Sequence, residues 1–502
     1  MRRRDILWGD RMKSFAGDAL RRVTAFAGTF PSTRHVVRKP RKIATLAGAM
    51  AAGMTALIAG GWLSGCHRGK AGTGDIVVWL SADTRGYLEP CGCRRDQAGG
   101  LPARMTLVTA DRTPNRLLLD AGNITNGGRS YELLKFDYLL RGMAAMGYDA
   151  VNLGKREVNL DRDTLLGKIA ASKLPFVSCN VLDKQSGRPL CAPFIVKTAG
   201  GTRFGIVGVV QAEGDDLGPG IAVRPPIEAL TEQLPALKTQ CDFIVVLAFA
   251  PAETLHEIAA KFPEVGAVLG GDVPQSSAKA ETVNRAVLFS VTEKGKVIGR
   301  LTFHPTGSDP PLTLLTSEAI KTADTIAPAP AMTALIREYK NVLRDRNLEL
   351  ANEEGLDPIN AQTTTADLYA GEQACASCHA SAHRIVLASA HAHAYRTLAQ
   401  KGSEFDPECL RCHTVGYGAK DGFISLKTTP KFADVQCESC HGRGAAHIAA
   451  VQAGKTGRAA TANLRAVTPN SCVRCHDTEN SARFLYTSFW PKIKHGQETT
   501  PH

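Results

Sequence analysis

Val435-Gln436-Cys437-Glu438-Ser439-Cys440-His441-Gly442 is the place to begin, because its five central residues explain the sequence on either side. Two Cys separated by two residues can form thioethers to the two vinyl groups of one haem, and the adjoining His turns its imidazole to the iron. The same pentad occurs as Cys375-Ala376-Ser377-Cys378-His379, Cys409-Leu410-Arg411-Cys412-His413 and Cys472-Val473-Arg474-Cys475-His476, so these motifs hold eight of the 14 Cys. One such pentad is about a 1% event at this Cys and His content, and four in a row have no chance explanation. A zinc reading needs paired Cys units around one tetrahedral metal and leaves the His after each pair without a role. Residues 366–497 are therefore expected to be a mainly α, haem-packed multihaem cytochrome c domain with four covalently attached haem c groups. Residues 498–502 form a tail.

Covalent haem attachment takes place outside the bacterial cytoplasm, and the other end of the chain agrees with export. Arg38, Lys39, Arg41 and Lys42 precede an uncharged run from Ile43 to Gly65, and the run ends Leu63-Ser64-Gly65-Cys66. A positive patch, an apolar segment and small residues describe an export signal. The ending resembles a bacterial lipobox, which implies a lipid on Cys66 and a membrane as partner. An uncleaved transmembrane anchor is the alternative, since the run is long enough to span a bilayer. Residues 1–65 carry +9 of the formal net charge of +12, so the basicity belongs to this leader and nucleic acid is not an expected partner. The leader is long, and Met12 is an alternative start. With 44% apolar and 22% charged residues, the chain is also not a disordered one.

The residues flanking the Cys pairs carry more information. Gly371-Glu372-Gln373-Ala374-Cys375, Ser389-Ala390-His391-Ala392-His393-Ala394 and Cys412-His413-Thr414-Val415-Gly416, with the stretch 435–442, resemble the cytochrome c-554 family. Its members take electrons from hydroxylamine oxidation in ammonia oxidisers. Beyond the proximal His379, His413, His441 and His476, the region offers His383, His391, His393, His447, His495 and His502. Six candidates for four irons would allow two imidazoles at every haem. The resemblance instead implies sixth ligands at His391, His447 and His495, with an open face at the haem of His413. The neighbouring His393 leaves the choice of His391 less fixed. His383 reads as a solvated helix residue and His502 as a frayed terminus.

Residues 75–305, after a tether at 66–74, alternate apolar strands with amphipathic helices. Ile76–Leu80, Arg116–Asp120, Phe204–Val210 and Asp242–Ala248 read as buried strands, and Leu133–Met146 and Ala252–Phe262 as helices. An α/β layered domain follows. Asp83-Thr84-Arg85-Gly86, Gly99-Gly100-Leu101-Pro102-Ala103-Arg104, Leu119-Asp120-Ala121-Gly122, Gly147–Val151 with Gly154, and Val268-Leu269-Gly270-Gly271 resemble calcineurin-like metallophosphatases of the 5′-nucleotidase branch. The departures from that pattern matter more. Asp83 survives, but Arg85 stands where the family has His, Asn123 where it has the bridging Asp, and Lys155-Arg156 where it has Asn-His. Asp272-Val273-Pro274 replaces a His-x-His element. A charged Lys or Arg cannot bind a metal, so the domain reads as a pseudo-enzyme without a two-metal centre. Its cations either hold an anion or form salt bridges with Asp83 and Glu157.

Cys91 and Cys93, in Glu89-Pro90-Cys91-Gly92-Cys93, form an element that recurs in exported relatives of that phosphatase branch. They have a redox or metal-binding reading, beside the plainer one of pairing with other Cys. Cys179 and Cys191 are expected to form an ordinary disulfide. Residues 306–365 read as a linker in which Met332, Leu335, Ile336, Tyr339, Val342 and Leu343 share one helical face, suited to packing on a domain or to dimer formation. The polar stretch 352–365 reads as a flexible link. The sequence is thus expected to be an exported, membrane-tethered tetrahaem cytochrome, moving electrons between periplasmic donor and acceptor proteins. The alternatives are a redox enzyme acting on a small nitrogen or sulfur compound at the His413 haem, and a phosphoesterase.

Overall fold

The computed structural model describes residues 74–90, 97–351, 367–478, 480–481 and 483–496. The leader 1–65, Cys66, Cys91, Cys93, the stretch 352–365, the tail 498–502 and His502 all lie outside the described residues. The described residues belong to one compact unit.

Fourteen strands are named in chain order. They are β1 (Ile76–Ser81), β2 (Arg116–Asp120), β3 (Ala150–Asn152), β4 (Phe176–Val177), β5 (Val181–Asp183), β6 (Phe194–Ala199) and β7 (Thr202–Val210). Then follow β8 (Ile221–Val223), β9 (Phe243–Phe249), β10 (Val265–Gly271), β11 (Glu281–Val283), β12 (Ala286–Ser290), β13 (Val297–Pro305) and β14 (Leu312–Lys321). One sheet has the order β14-β13-β1-β2-β3-β4, a second the order β11-β12-β10-β9-β7-β6, and β5 pairs with β8. Strands β1 to β4 run parallel, as do β7, β9, β10 and β12.

Side-chain alternation explains the layers. Ile76, Val78 and Leu80 of β1 enter one core with Ile206, Val245, Leu247 and Leu269 of the facing sheet. The intervening Val77 and Trp79 enter a second core with Leu101, Phe136, Leu139, Met332 and Ile336 from helices. On the far side of the second sheet, Leu230, Leu234, Leu255 and Ile258 pack on Val207, Val246 and Val268. The result is helices, two sheets, and helices again, as period-2 patterning on two-sided strands requires.

The first sheet extends past the expected boundary at residue 305. Strand β14 pairs antiparallel along β13 from Val297↔Lys321 to Pro305↔Leu312, so residues 312–321, read from sequence as linker, belong to the α/β layer. This edge strand is mostly exposed, which leaves a weak apolar pattern in the sequence. The Pro330–Asp345 helix lays Met332, Ile336, Tyr339 and Leu343 against the Leu101–Ala110 and Ser130–Met146 helices. Its apolar face is therefore used within the chain.

The region from residue 367 onward is made of short helices, the longest being eight residues. Its few apolar side chains, including Tyr395, Leu398, Leu410, Tyr417 and Phe423, continue the helix-side core of the α/β layer.

Candidate functional site

The second and third motifs lie whole on the Pro407–His413 and Cys437–His441 helices, while the first and fourth begin on the one-turn Glu372–Ala376 and Pro469–Val473 helices and run past their ends. Asp406 caps the Pro407–His413 helix by accepting from Glu408 N at 2.9 Å, with Pro407 at its first position. The Cys437–His441 helix starts at Gln436, and Pro469–Val473 starts behind Thr468. One helical turn brings residues i and i+3 to the same face, which aligns each Cys pair, and His follows at i+4. Cys375 lies within hydrogen-bonding reach of Cys437, Cys412 within reach of Cys475, and Cys440 beside Cys472. The motifs therefore neighbour one another in the order first, third, fourth, second.

Imidazoles from distant parts of the chain face the motif His residues. His379 and His447 have ring centroids 6.3 Å apart, His391 and His476 5.9 Å, and His441 and His495 5.9 Å. Two imidazoles bound to one metal at about 2 Å each have centroids about 6 Å apart. Several rings are also oriented through Nδ1. That atom contacts Ala394 O at 2.8 Å in His413, Ala460 O at 2.9 Å in His447, Ser481 Oγ at 2.9 Å in His476 and Ile493 O at 2.9 Å in His495. An Nδ1–H donated to a carbonyl leaves Nε2 as the ligand atom. Burial, then the neighbouring His476 and His413, lower the pKa of His391, while burial and then His495 lower that of His441. Both effects favour the neutral, metal-binding form.

Among the described residues, no such imidazole pair is formed by His413. His393 is exposed. His383 departs from its expected solvated state. Its side chain is 12% exposed and lies 3.7 Å from Glu372, because its helix packs back on the Glu372–Ala376 turn.

A cavity of about 1850 Å³ runs among Cys409, Cys412, His413, Cys437, Cys440, His441, Cys472, Cys475 and His476. On its wall the Tyr339 hydroxyl and Arg411 Nε are buried without a hydrogen-bond partner among the described residues. Room of that size, paired thiols, oriented imidazoles and unanswered donors suit a large group with an iron centre. The donor set fits haem c.

The α/β layer supplies part of this same wall. Lys135, on the Ser130–Met146 helix, is buried and reaches Glu408 Oε2 at 2.6 Å and Asp406 Oδ2 at 3.8 Å. Asn126 Nδ2 donates to Glu408 Oε1 at 3.2 Å. Both contacts fall on the helix that carries the second motif.

The loops singled out by the resemblance to metallophosphatases lie at the carboxyl ends of parallel strands, where open α/β sheets place ligands. Asp83 Oδ1 accepts from Asn123 Nδ2 at 2.7 Å and from Arg85 Nε at 2.5 Å, and Asp83 Oδ2 accepts from Thr292 Oγ1 at 2.8 Å. Lys155 pairs with Asp272 at 2.8 Å. Glu157 behaves differently from the expected salt bridge. It accepts from the backbone N–H of Asn123, Ile124, Thr125 and Gly154, each at 2.8 Å, because it is fully buried and those loop amides converge on it. Burial pushes its carboxyl up while the four donors pull it back. Asp83, Arg85, Asn123 and Asp272 all have positive φ, an uncommon state for residues with a Cβ. The approach of two of these loops is close as well, since a Cβ on Gly154 would lie 2.2 Å from Asn123 N.

Cys179 and Cys191 are free thiols, contrary to the expected disulfide. Cys179 is buried and Cys191 partly buried beside the β4 region, and burial pushes both pKa values up to about 12. Two buried residues escaped the reading of the sequence. Glu438, inside the third motif, accepts from the N–H groups of Ala370, Gly371 and Gly444 at 2.8–3.0 Å and so ties the third motif to the first. Lys135 is the other, and the only sequence signal for it is a cation flanked by apolar residues on an amphipathic helix.

Known proteins divide along the same line. Residues 374–442 match the family model described as cytochrome c554 and c-prime. Cytochrome c-554 of Nitrosomonas europaea is 32% identical over 101 residues, which is 17% of this chain and 43% of that protein. The 5′-nucleotidase of Vibrio cholerae is 27% identical over 150 residues, 28% of this chain and 27% of that enzyme. The structure of the NAD nucleotidase of Haemophilus influenzae superposes with a TM-score of 0.50 at 19% identity, covering 59% of this chain and 64% of that one. The chain thus spans about a quarter of the length of the 5′-nucleotidase it matches and under half of the cytochrome. Its N-terminal region has the calcineurin-like metallophosphatase fold, and its C-terminal region carries a cytochrome c554 domain, fused in one chain. The cytochrome match implies covalently bound haem c.

Proposed function

We propose that the chain is a tetrahaem c-type cytochrome that transfers electrons between exported redox partners, held at a membrane by a lipid on Cys66. Cys375 and Cys378, Cys409 and Cys412, Cys437 and Cys440, and Cys472 and Cys475 would hold one haem each, with His379, His413, His441 and His476 as proximal ligands. His447, His495 and His391 would complete the first, third and fourth centres. Bound there, haem c supplies one-electron exchange and, where an axial face is free, a site for a small molecule.

The observation that carries this reading is the contrast, among the described residues, between three facing imidazole pairs and a His413 that belongs to none of them. Two axial imidazoles suit electron transfer, and a missing one suits ligand binding. The order first, third, fourth, second puts His413 at one end of the series, which favours it as the point of exchange. A second reading, oxidoreduction of a small nitrogen or sulfur compound at His413, rests on the same contrast. A phosphoesterase is disfavoured because Arg85, Asn123 and Thr292 occupy both oxygens of Asp83.

Electron paramagnetic resonance of the oxidised holoprotein should give three low-spin signals and one high-spin signal. Carbon monoxide on the reduced protein should shift about a quarter of the Soret band if the four haems absorb alike. Four low-spin signals with no carbon monoxide shift would sink the open-centre assignment. Turnover of a nitrogen or sulfur compound at rates lost on ligand blockade would favour the enzyme reading over the carrier.

A further inference from the structure

The helix that carries the second motif opens on two carboxylates. Asp406 caps it, and Glu408 immediately precedes Cys409. Both turn to the α/β layer, where Lys135 Nζ lies 2.6 Å from Glu408 Oε2 and 3.8 Å from Asp406 Oδ2. Among the described residues no other Lys or Arg comes within ion-pair distance of either carboxylate. A third acidic group, Glu132, stands nearby and accepts from Asn126 Nδ2 at 3.4 Å and from Tyr131 Oη at 3.3 Å. The same Asn126 Nδ2 reaches Glu408, so Lys135 is the cation that meets an acidic helix end.

Its charge is secure. Burial alone would favour the neutral amine, but Asp406 and Glu408 outweigh it and hold the Lys135 pKa well above the usual range. A buried ion pair stabilises a fold little more than apolar side chains of the same volume, because both charges lose their hydration. An apolar side chain at this place would cover the helix equally well. It would not supply a positive charge beside Cys409, in surroundings where charges act strongly on one another.

We propose that Lys135 tunes the second centre: by answering Asp406 and Glu408, it holds the reduction potential of the haem on Cys409 and Cys412 above the value the acidic helix end would impose. Reduction adds one electron, and so one negative charge, at the iron, and a neighbouring cation favours that state. The α/β layer is then an electrostatic regulator fused to the cytochrome. The proposal rests on the reading of Cys409, Cys412 and His413 as a haem site, and it goes beyond that reading by giving the α/β layer a task.

The test is a spectroelectrochemical titration of the full-length holoprotein at fixed pH. In Lys135→Met one of the four one-electron steps should move to lower potential. Its oxidised-to-reduced ratio at a given ambient potential should rise about tenfold, or about 59 mV for a one-electron couple. Glu408→Gln breaks the same ion pair, yet it should move the same step upward, because it removes a negative charge. Lys135→Arg should keep the parent potentials. Arg141→Met, which removes a cation of the same helix paired with Glu338, should leave all four steps in place. Shifts of Lys135→Met and Glu408→Gln in one direction would mark a merely structural contact and overturn the proposal. Steps that stay in place in either variant, or an equal shift of all four, overturn it as well. Should Lys135→Met fail to fold, the upward shift in Glu408→Gln and its absence in Lys135→Arg decide the matter. Carbon monoxide then identifies the centre, since the step that moves should belong to the haem that binds it. Opposite shifts without carbon monoxide binding leave the tuning standing and refute the open His413 centre. Absence of haem from Cys409 and Cys412 in the parent refutes the haem reading, and the proposal with it.

Discussion

Replacing Lys135 by Met removes the cation that ties the α/β layer to the helix of the second motif. Lys135 Nζ is 2.6 Å from Glu408 and 3.8 Å from Asp406, and its side chain is 6% exposed. At that distance and an effective dielectric of 20, the gross attraction to Glu408 is about 6 kcal/mol. Desolvation of the ammonium offsets much of it, and the Glu408 side chain is 32% exposed, so the net effect is smaller. Removing one partner of a buried pair typically costs about 3–5 kcal/mol, and screening at Glu408 argues for the lower end, about 3 kcal/mol. Burial raises the pKa of Asp406 while Lys135 opposes it, so without Lys135 this carboxyl becomes easier to protonate. A denaturant series on Lys135→Met, Glu408→Gln and the double variant gives the coupling, expected at about 2 kcal/mol. The second haem should also change spectroscopically before the other three. A coupling below about 0.5 kcal/mol would show that the ion pair does not hold the two regions together.

Mass spectrometry of protein from a maturation-competent host should show four covalent haems, and three after Cys437→Ala with Cys440→Ala. His391→Ala, His447→Ala and His495→Ala should each add one high-spin signal, whereas His383→Ala and His393→Ala should add none. Asp120 has a pKa raised by burial to about 7 from 3.8. In the folded state it keeps its proton where the unfolded chain has lost it, so its contribution to stability falls as pH rises from about 4 to about 7. The total is about 4 kcal/mol, and Asp120→Asn should abolish it when the two proteins are compared across that range.

Local patterning exposed the elements whose burial is two-sided or periodic. Strand β2 falls at Arg116–Asp120, where the apolar run placed it, and the helix face of Met332, Ile336, Tyr339 and Leu343 follows from 3.6-residue spacing. Strand β14 was not legible, because an edge strand exposes one face and its residues alternate only weakly; pairing with β13, not composition, makes it a strand. Lys135 was illegible for a related reason. Its neighbours Leu134 and Phe136 suggest a helix surface, and only the arrival of residues 406–408 turns that surface inward. The Cys-x-x-Cys-His motifs are legible because their chemistry is local. The facing imidazoles are not, since His391 and His476 lie 85 residues apart and their meeting depends on how many short helices pack.

In the α/β layer, ion-paired side chains sit on turns of uncommon backbone conformation. Asp83, Arg85, Asn123 and Asp272 keep positive φ, each at a cost of order 1–3 kcal/mol for a residue with a Cβ. On these loops Arg85 sits on Asp83 and Lys155 on Asp272. Internal cations thus balance these carboxylates, and Glu157 holds two loops together through four backbone amides. If the region served only as a spacer, relaxation of these turns would stabilise the chain without loss. The same turns instead carry Gly86 against Asn126, and Asn126 against Glu408. Their geometry therefore shapes the wall next to Cys409.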